Sequence, residues 1–210
     1  MEYDTPNWWR VPDMWRGAEV FLIGGGASLV GFDFAPLRGR HVIGCNDAFI
    51  KLGAEVVPVS VFGDGAWYFA HKADCIAYPG LLITCAPECY GYPNLHATSR
   101  KMNEVTSMGS DALGWHFNTG ALAIQLAASM GASRIVLLGY DMKCAANKRH
   151  NNWYREKDDN TDAHYQRFLR CFADFQGQFK TVFPDVEVLN AGPDSVLTGY
   201  KMVELGMVLK

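Results

Sequence analysis

Short apolar runs recur along the chain, and most of them end in glycine or in a polar side chain. The runs occupy residues 20–23, 41–46, 56–62, 81–85, 134–141 and 186–190. Runs of this length that are bounded by turn residues are typical of strands buried in a parallel sheet. A longer apolar segment, 121–130, ends at Gly131 and has the composition of a helix packed on a sheet. The alternation of strands and helices predicts an α/β fold: a single Rossmann-like domain with a mainly parallel sheet and helices on both faces.

The segments between these runs complete the predicted organisation. Residues 32–37 and 47–52 have the length of short helices, and a longer helix is predicted over residues 164–179. Residues 86–116 carry several prolines and glycines without clear periodicity, which predicts mostly loop. Residues 143–163 are strongly polar, so we expect them to form a solvated loop or a mobile lid.

The first 19 residues differ from the rest, because Trp8, Trp9 and Trp15 precede the first strand. We expect an aromatic N-terminal arm over residues 1–19 that packs in a groove of the domain formed by residues 20–210. A contact with a partner or a second subunit is the alternative, so a homo-oligomer is left open.

Composition and charge exclude several classes of protein. The 210 residues are 49% hydrophobic and 20% charged, as in an ordinary globular protein, and no apolar run approaches the ~20 residues of a membrane-spanning helix. The formal net charge of -3 and a pI of about 6.0 argue against non-specific binding to nucleic acid as the main function. The acidic N-terminus lacks a basic and apolar leader, which predicts a cytoplasmic protein. The six cysteines do not form CxxC pairs, and although Cys85, Cys89 and His96 permit a zinc site, a second pair at ligand spacing is missing and we predict none.

The first apolar run stops in three consecutive glycines, Gly24, Gly25 and Gly26, and Ser28 follows them closely. Glycines at a strand-to-helix turn let backbone amides approach a phosphate, because no Cβ stands in the way, and Ser28 adds a hydroxyl donor. This predicts an anion site, although a tight turn without a ligand would use the same residue type. The spacing is neither the GxGxxG of dinucleotide-binding domains nor that of a P-loop.

Polar residues follow other predicted strands at the same end. Asn46, Asp64, Asp141 and Asn190 each stand at or just after the carboxyl end of a strand. In an open parallel sheet these ends share one edge, and ligands bind outside that edge. The two carboxylates, Asp64 and Asp141, are also the hard oxygen ligands that Mg²⁺ prefers, as ATP-dependent pyrophosphoryl transfer would require. A purely structural role for Asp141 is the alternative.

Five short segments stand in a characteristic order along the chain. They are residues 24–29, Cys45-Asn46, Gly63-Asp64, Asn118-Thr119-Gly120 and Gly139-Tyr140-Asp141-Met142, with His150 downstream. This order resembles the DUF115-like group, which includes phage-borne proteins, the archaeal pyrophosphokinase MptE and, more distantly, the bacterial sialyltransferases of glycosyltransferase family 42. The resemblance extends over residues 20–195.

The sialyltransferases are similar to this sequence at the turn 24–29, at Asn46, at Thr119-Gly120 before the predicted helix 121–130, and in the segment 192–197. Asp64 stands where that family has a second strand-end asparagine, and Tyr140 and Tyr154 are the candidates for its phosphate-contacting tyrosines. Topology and resemblance together select these nucleotide-binding residues: Gly24, Gly25, Gly26, Ser28, Asn46, Thr119, Gly120, Asp141, Asn190 and Ser195.

The resemblance also implies a histidine general base. The catalytic His-Tyr pair of the sialyltransferases falls at His164-Tyr165, whereas His150 matches the histidine of the DUF115-like pattern. Both histidines are therefore candidates, and Asp64 completes the predicted catalytic residues. A base must lie within hydrogen-bond reach of the acceptor hydroxyl.

These observations predict a nucleotide-binding transferase that resembles glycosyltransferases, with a nucleotide or nucleotide-sugar donor and an unidentified acceptor. Residues 20–210 would then be its Rossmann-like nucleotide-binding domain. An MptE-like pyrophosphokinase that depends on Mg²⁺ is one alternative, and a non-catalytic nucleotide-binding phage protein is another. A metal requirement separates the two enzymes, because pyrophosphoryl transfer from ATP should stop in chelator.

Overall fold

Parallel strands dominate the computed structural model, which describes residues 6–145, 152–154 and 160–209. Within these residues the strands are β1 (Glu19–Ile23), β2 (His41–Cys45), β3 (Val59–Phe62), β4 (Leu81–Thr84), β5 (His96–Ala97), β6 (Ser99–Met102), β7 (Ala112–Trp115), β8 (Arg134–Leu138), β9 (Glu187–Asn190) and β10 (Lys201–Met202). The main sheet has the order β10-β9-β8-β1-β2-β3-β4-β5, and every pairing described in it is parallel. The chain builds this sheet outward from β1 on one side and from β8 on the other, so a topological switch point lies between them.

Helices cover both faces of the main sheet. They are α1 (Ala48–Leu52), α2 (Gly65–Ala70), α3 (Lys72–Ala77), α4 (Thr119–Ser129), α5 (Asp162–Val182) and α6 (Leu205–Val208). Alternate residues of β1 point to opposite faces: Val20 and Leu22 pack in the core that contains α4 and α5, whereas Phe21 and Ile23 pack in the core that contains α1 and α2. The predicted single α/β domain with a parallel sheet is therefore confirmed.

The longest helix, α5, has 21 residues, with one polar face and one apolar face that buries Phe172, Phe175 and Phe179. In the described parts of the chain, no helix combines the length and the apolar character that crossing a membrane would need.

Residues 86–116 contain more regular structure than the sequence pattern predicts. β6 and β7 form a separate two-stranded parallel sheet, and β5 extends the main sheet by pairing with β4. Most of residues 86–116 is still loop and turn, as predicted, but the pattern misses β5, β6 and β7 because these strands are only two to four residues long and depend on tertiary contacts, so they carry no periodic signal. For the same reason, the sequence pattern does not predict four other short elements, α2, α3, β10 and α6.

The chain before β1 packs closely on the domain. The Trp9 N–H donates to the carbonyl oxygen of Ala97 at 2.8 Å, and the Trp15 N–H donates to that of Met130 at 2.7 Å. Val11 and Trp15 are buried in the core beside α4. These contacts attach residues 6–18 along their length, while a distinct role for an arm over residues 1–19 stays a prediction.

Candidate functional site

A cavity of about 710 Å³ opens at the carboxyl edge of the main sheet. The turns after β1, β2, β3 and β8 and the first residues of α4 contribute to its walls. Eight of the predicted site residues line it: Gly24, Gly25, Gly26, Asn46, Asp64, Thr119, Gly120 and Asp141. The parallel topology thus brings together residues from distant parts of the chain, as expected for this edge.

The glycine turn after β1 uses most of its backbone amides inside the protein. The Gly24 N–H donates to the carbonyl oxygen of Leu138 at 2.8 Å, and the Gly26 N–H donates to that of Gly139 at 2.7 Å. A Cβ at Gly24 would lie 2.6 Å from the same Gly139 oxygen. The glycines therefore allow close approach to the end of β8, and within the described residues only the Gly25 amide of the three has no hydrogen-bond partner.

Asp141 occupies the position that an external anion was expected to take. Its carboxylate accepts the Ser28 N–H at 2.8 Å and the Ser28 hydroxyl at 2.6 Å, and it is 7% exposed. A Cβ at Gly26 would lie 2.5 Å from Cγ of Asp141. Both hydrogen-bond donors of Ser28 therefore bind Asp141 of the same chain. We correct the predicted role of Ser28 from phosphate ligand to structural partner of Asp141.

Both strand-end carboxylates accept hydrogen bonds from the chain itself, which leaves them less able to hold the Mg²⁺ that a pyrophosphokinase would need. Both oxygens of Asp141 accept hydrogen bonds from Ser28, and Oδ1 of Asp64 accepts the Ala66 N–H at 2.9 Å at the start of α2. A hard cation binds through carboxylate oxygens that are free to face it. Among the described residues, no group of three or more His, Cys, Asp or Glu side chains is arranged to hold a metal ion. We therefore assign no magnesium ligands.

Asn46 lines the cavity, and its side chain carries an unsatisfied acceptor. It has a φ of 52°, a left-handed conformation that asparagine tolerates better than most residues. Its side-chain oxygen Oδ1 is buried and has no hydrogen-bond partner within the described residues. A buried acceptor without a partner costs about 1–3 kcal/mol, which a donor on a bound ligand would recover. Asn46 is therefore the predicted residue whose geometry most directly indicates a ligand.

The N-terminus of α4 also borders the cavity. Asn118 caps this helix, because its Oδ1 accepts the N–H groups of Gly120 at 2.8 Å and Ala121 at 3.2 Å. A Cβ at Gly120 would lie 2.7 Å from Cε1 of Tyr140, so only glycine fits against that ring. Thr119 lines the cavity at the first helical position, where the helix dipole favours a negative charge.

Asn190 and Ser195 do not line the cavity, contrary to the prediction. Asn190 is fully buried; its Nδ2 donates to Oγ of Ser195 at 2.9 Å, and its Oδ1 accepts the Gly192 N–H at 3.0 Å. The Ser195 hydroxyl donates to the carbonyl oxygen of Tyr140 at 2.6 Å. Both side chains hold the loop after β9 against the end of β8, so we correct their role to a structural one.

His164 faces the cap of α5 rather than the cavity. Its Nδ1 accepts the Thr161 N–H at 3.0 Å, its side chain is exposed, and it does not line the cavity, whereas Arg167 and Phe168 of the same helix do. A neutral imidazole that accepts through Nδ1 carries its proton on Nε2, so neither nitrogen is free to take a proton in this arrangement. The geometry therefore does not support His164 as the base.

The other predicted base, His150, lies outside the described residues. Of the predicted lid over residues 143–163, only 143–145, 152–154 and 160–163 are described. The lid stays a prediction.

The segment 152–154 lies directly on the glycine turn. The Trp153 indole N–H donates to the carbonyl oxygen of Gly24 at 2.8 Å, and the Trp153 backbone N–H donates to that of Gly25 at 3.2 Å. The Tyr154 hydroxyl is 3.0 Å from the position of a Cβ on Gly25, and Tyr154 lines the cavity. One candidate for a phosphate-contacting tyrosine therefore reaches the turn.

Tyr140 and Cys45 form the buried floor of the cavity. Their side chains lie 3.7 Å apart, and the Tyr140 hydroxyl donates to the carbonyl oxygen of Gly120 at 3.3 Å. Burial raises the pKa of the Cys45 thiol to about 12 and the pKa of Tyr140 well above its usual value. Both groups stay protonated near neutral pH, so neither supplies a nucleophile or a base.

Several residues that the sequence pattern does not single out also line the cavity, most of them aromatic or basic: Trp67, His71, Trp115, Phe117, Arg167 and Phe168. Phe117 combines a φ of 54° with 45% exposure, which is uncommon for a bulky residue and marks a constrained position. A Cβ at Gly63 would overlap the Trp115 ring, so this glycine is the one sequence signal that indicates close packing there.

The fold is similar to that of solved sialyltransferases. The sialyltransferase CstII from Campylobacter jejuni, in complex with the substrate analogue cytidine-5'-monophosphate, matches with a TM-score of 0.52 and 12% identity over 90% of this chain and 85% of that one. A single-residue variant of CST-II in complex with CMP matches with a TM-score of 0.50 and 12% identity over 89% and 86% of the two chains. No protein-family model matches the sequence, and no curated protein matches it. The chain shares the fold of these glycosyltransferases, whereas the DUF115-like group and a phage origin stay predictions.

Proposed function

We propose that the chain is a nucleotide-binding transferase of the glycosyltransferase type, which holds a nucleotide-sugar donor in the cavity at the carboxyl edge of its sheet. The observation that carries the proposal is the buried, unpartnered Oδ1 of Asn46 at this cavity. An exocyclic amine of a base or a hydroxyl of a sugar supplies the donor that this oxygen lacks. The shared fold supports the proposal, because the solved sialyltransferases of that fold contain CMP.

The phosphate of the donor is placed by groups at the glycine turn and at the start of α4. Thr119 begins α4, the Gly25 amide is unused within the described residues, and the Tyr154 side chain reaches the same turn. Arg167 adds a positive charge to the cavity wall. A helix N-terminus and a guanidinium both favour a phosphate, the first through its dipole and the second through charge-assisted hydrogen bonds.

The proposal is tested by thermal shift and calorimetry with CMP, a CMP-sugar, a UDP-sugar and ATP, each with and without Mg²⁺. We expect CMP and the CMP-sugar to stabilise the protein, and chelator to leave their binding unchanged. Asn46→Gly keeps the left-handed backbone and removes the acceptor, so it should weaken nucleotide binding by about 10-fold or more.

Asn103→Gly is the matched control. Asn103 also has a φ of 52°, but it is exposed and does not line the cavity. Nucleotide affinity should therefore be the same in Asn103→Gly and in the wild type. Equal weakening in the two variants would remove the support that Asn46 gives, and stabilisation by ATP with Mg²⁺ alone would favour the pyrophosphokinase instead.

A further inference from the structure

His71 lines the same cavity, although neither the sequence pattern nor the resemblance selects it. It stands between α2 and α3, and its ring lies against that of Trp67 with centroids 5.0 Å apart. Its side chain is 30% exposed, so the imidazole is held by packing while part of it stays accessible. Among the described residues it is the only histidine that lines the cavity.

Carboxylates stand near both ring nitrogens of His71. Nε2 lies 3.8 Å from Oδ1 of Asp47, whose side chain is 8% exposed, and Nδ1 lies 4.0 Å from Oδ2 of Asp74, whose side chain is 52% exposed. Oδ1 of Asp47 also accepts the indole N–H of Trp67 at 2.5 Å, which fixes the carboxylate at the edge of the indole. Asp47 follows Asn46 directly, so the histidine and the unpartnered acceptor belong to adjoining parts of the cavity wall.

We propose that His71, positioned by Asp47, is the general base of the transfer reaction; the inference rests on the proposed function. The acceptor hydroxyl gives its proton to an imidazole nitrogen, and the electron pair of its oxygen forms the new bond to the anomeric carbon of the donor. The bond from that carbon to the phosphate oxygen breaks, and the nucleotide leaves with the electron pair. The imidazolium that forms is stabilised by the buried Asp47 carboxylate, as an orienting acid stabilises a catalytic histidine.

The contrast with His164 supports this assignment. Nδ1 of His164 accepts the Thr161 N–H outside the cavity. Neither ring nitrogen of His71 makes a hydrogen bond within the described residues. His71 therefore meets the two geometric conditions of a base, access to the cavity and a free lone pair.

The test measures turnover of CMP-sialic acid, with water as the acceptor, in the wild type, His71→Ala and His71→Gln. We expect kcat to fall by about 10²-fold or more in both variants, while the dissociation constant for CMP stays unchanged. Added imidazole should restore part of the activity of His71→Ala but not that of the bulkier His71→Gln. His41→Ala is the matched control, because His41 lies at the opposite end of β2 and should leave kcat unchanged.

Asp47→Asn probes the positioning residue. It keeps an oxygen for the Trp67 indole but removes the charge, so kcat should fall while KM for the donor does not change. Normal turnover in a folded His71→Gln, or a loss that imidazole does not restore in His71→Ala, overturns the inference and leaves the proposed function standing. A wild type that binds neither CMP nor either of the nucleotide-sugars, or that binds CMP-sialic acid without consuming it, overturns both.

Discussion

Replacing Gly26 by alanine tests whether the glycine turn serves Asp141 rather than an external anion. A Cβ at this position would lie 2.5 Å from Cγ of Asp141 and 2.7 Å from the carbonyl oxygen of Gly139. That oxygen belongs to the backbone at the end of β8, so the glycine turn has to shift away from it as well as the carboxylate of Asp141. Gly26 has a φ of -61° and a ψ of 145°, which alanine adopts freely, and the cost is therefore steric rather than conformational.

The magnitude follows from the contacts that Asp141 loses. Moving the carboxylate breaks its hydrogen bonds from Ser28, which measure 2.8 Å from the amide and 2.6 Å from the hydroxyl. Hydrogen bonds to a charged group contribute about 1.5–3 kcal/mol each, and water in the cavity replaces part of them. We expect Gly26→Ala to lower the free energy of unfolding by about 2–4 kcal/mol.

The measurement is urea denaturation of Gly26→Ala beside two other glycine variants. In Gly25→Ala the new Cβ meets only side-chain ends, Nδ2 of Asn152 at 2.9 Å and the Tyr154 hydroxyl at 3.0 Å, so the loss should stay below about 1 kcal/mol. Gly177 lies inside α5 with nothing within 4 Å of its Cβ position, so Gly177→Ala should gain up to about 1 kcal/mol. Equal stability of Gly26→Ala and Gly25→Ala would refute the argument.

Two further predictions concern the cavity floor and the helix that borders it. Because burial raises the pKa of Cys45 to about 12, iodoacetamide at pH 8 should modify this thiol far more slowly in the native protein than in urea; rapid native labelling by peptide mass spectrometry would contradict its burial. Asn118→Ala removes the cap of α4 and should lower stability by about 1–2 kcal/mol in thermal denaturation, and an unchanged midpoint would show that the cap contributes nothing.

The sequence predicts the central strands well, because they are buried on both faces. Residues 20–23 and 135–138 are continuous apolar runs, and such a run can be recognised without knowing which strands pair with it. β6 and β7 lack it: residues 99–102 are Ser-Arg-Lys-Met, and they form a strand only because residues 112–115 lie beside them. A strand that depends on one distant partner shows no periodic pattern of hydrophobic residues in its own sequence, so the sequence does not predict it.

The candidate site is predictable in its position but not in the roles of its residues. Topology alone places Asn46, Asp64 and Asp141 at one edge, and the structure brings them to one cavity. Which donors face that cavity depends on tertiary pairing, since Ser28 and Asp141 are far apart in sequence and bind each other. The sequence does not predict His71 as a site residue for a related reason: the buried acid beside it, Asp47, comes from the turn after β2.

The main sheet ends on both sides in very short strands. β5 and β10 each pair with their neighbour over only two residues. Edge strands of this length offer few unpaired backbone groups, so another chain cannot add a long ladder to either side. Edge-to-edge addition to the main sheet, the route to fibrils and to continuous intermolecular sheets, is therefore disfavoured.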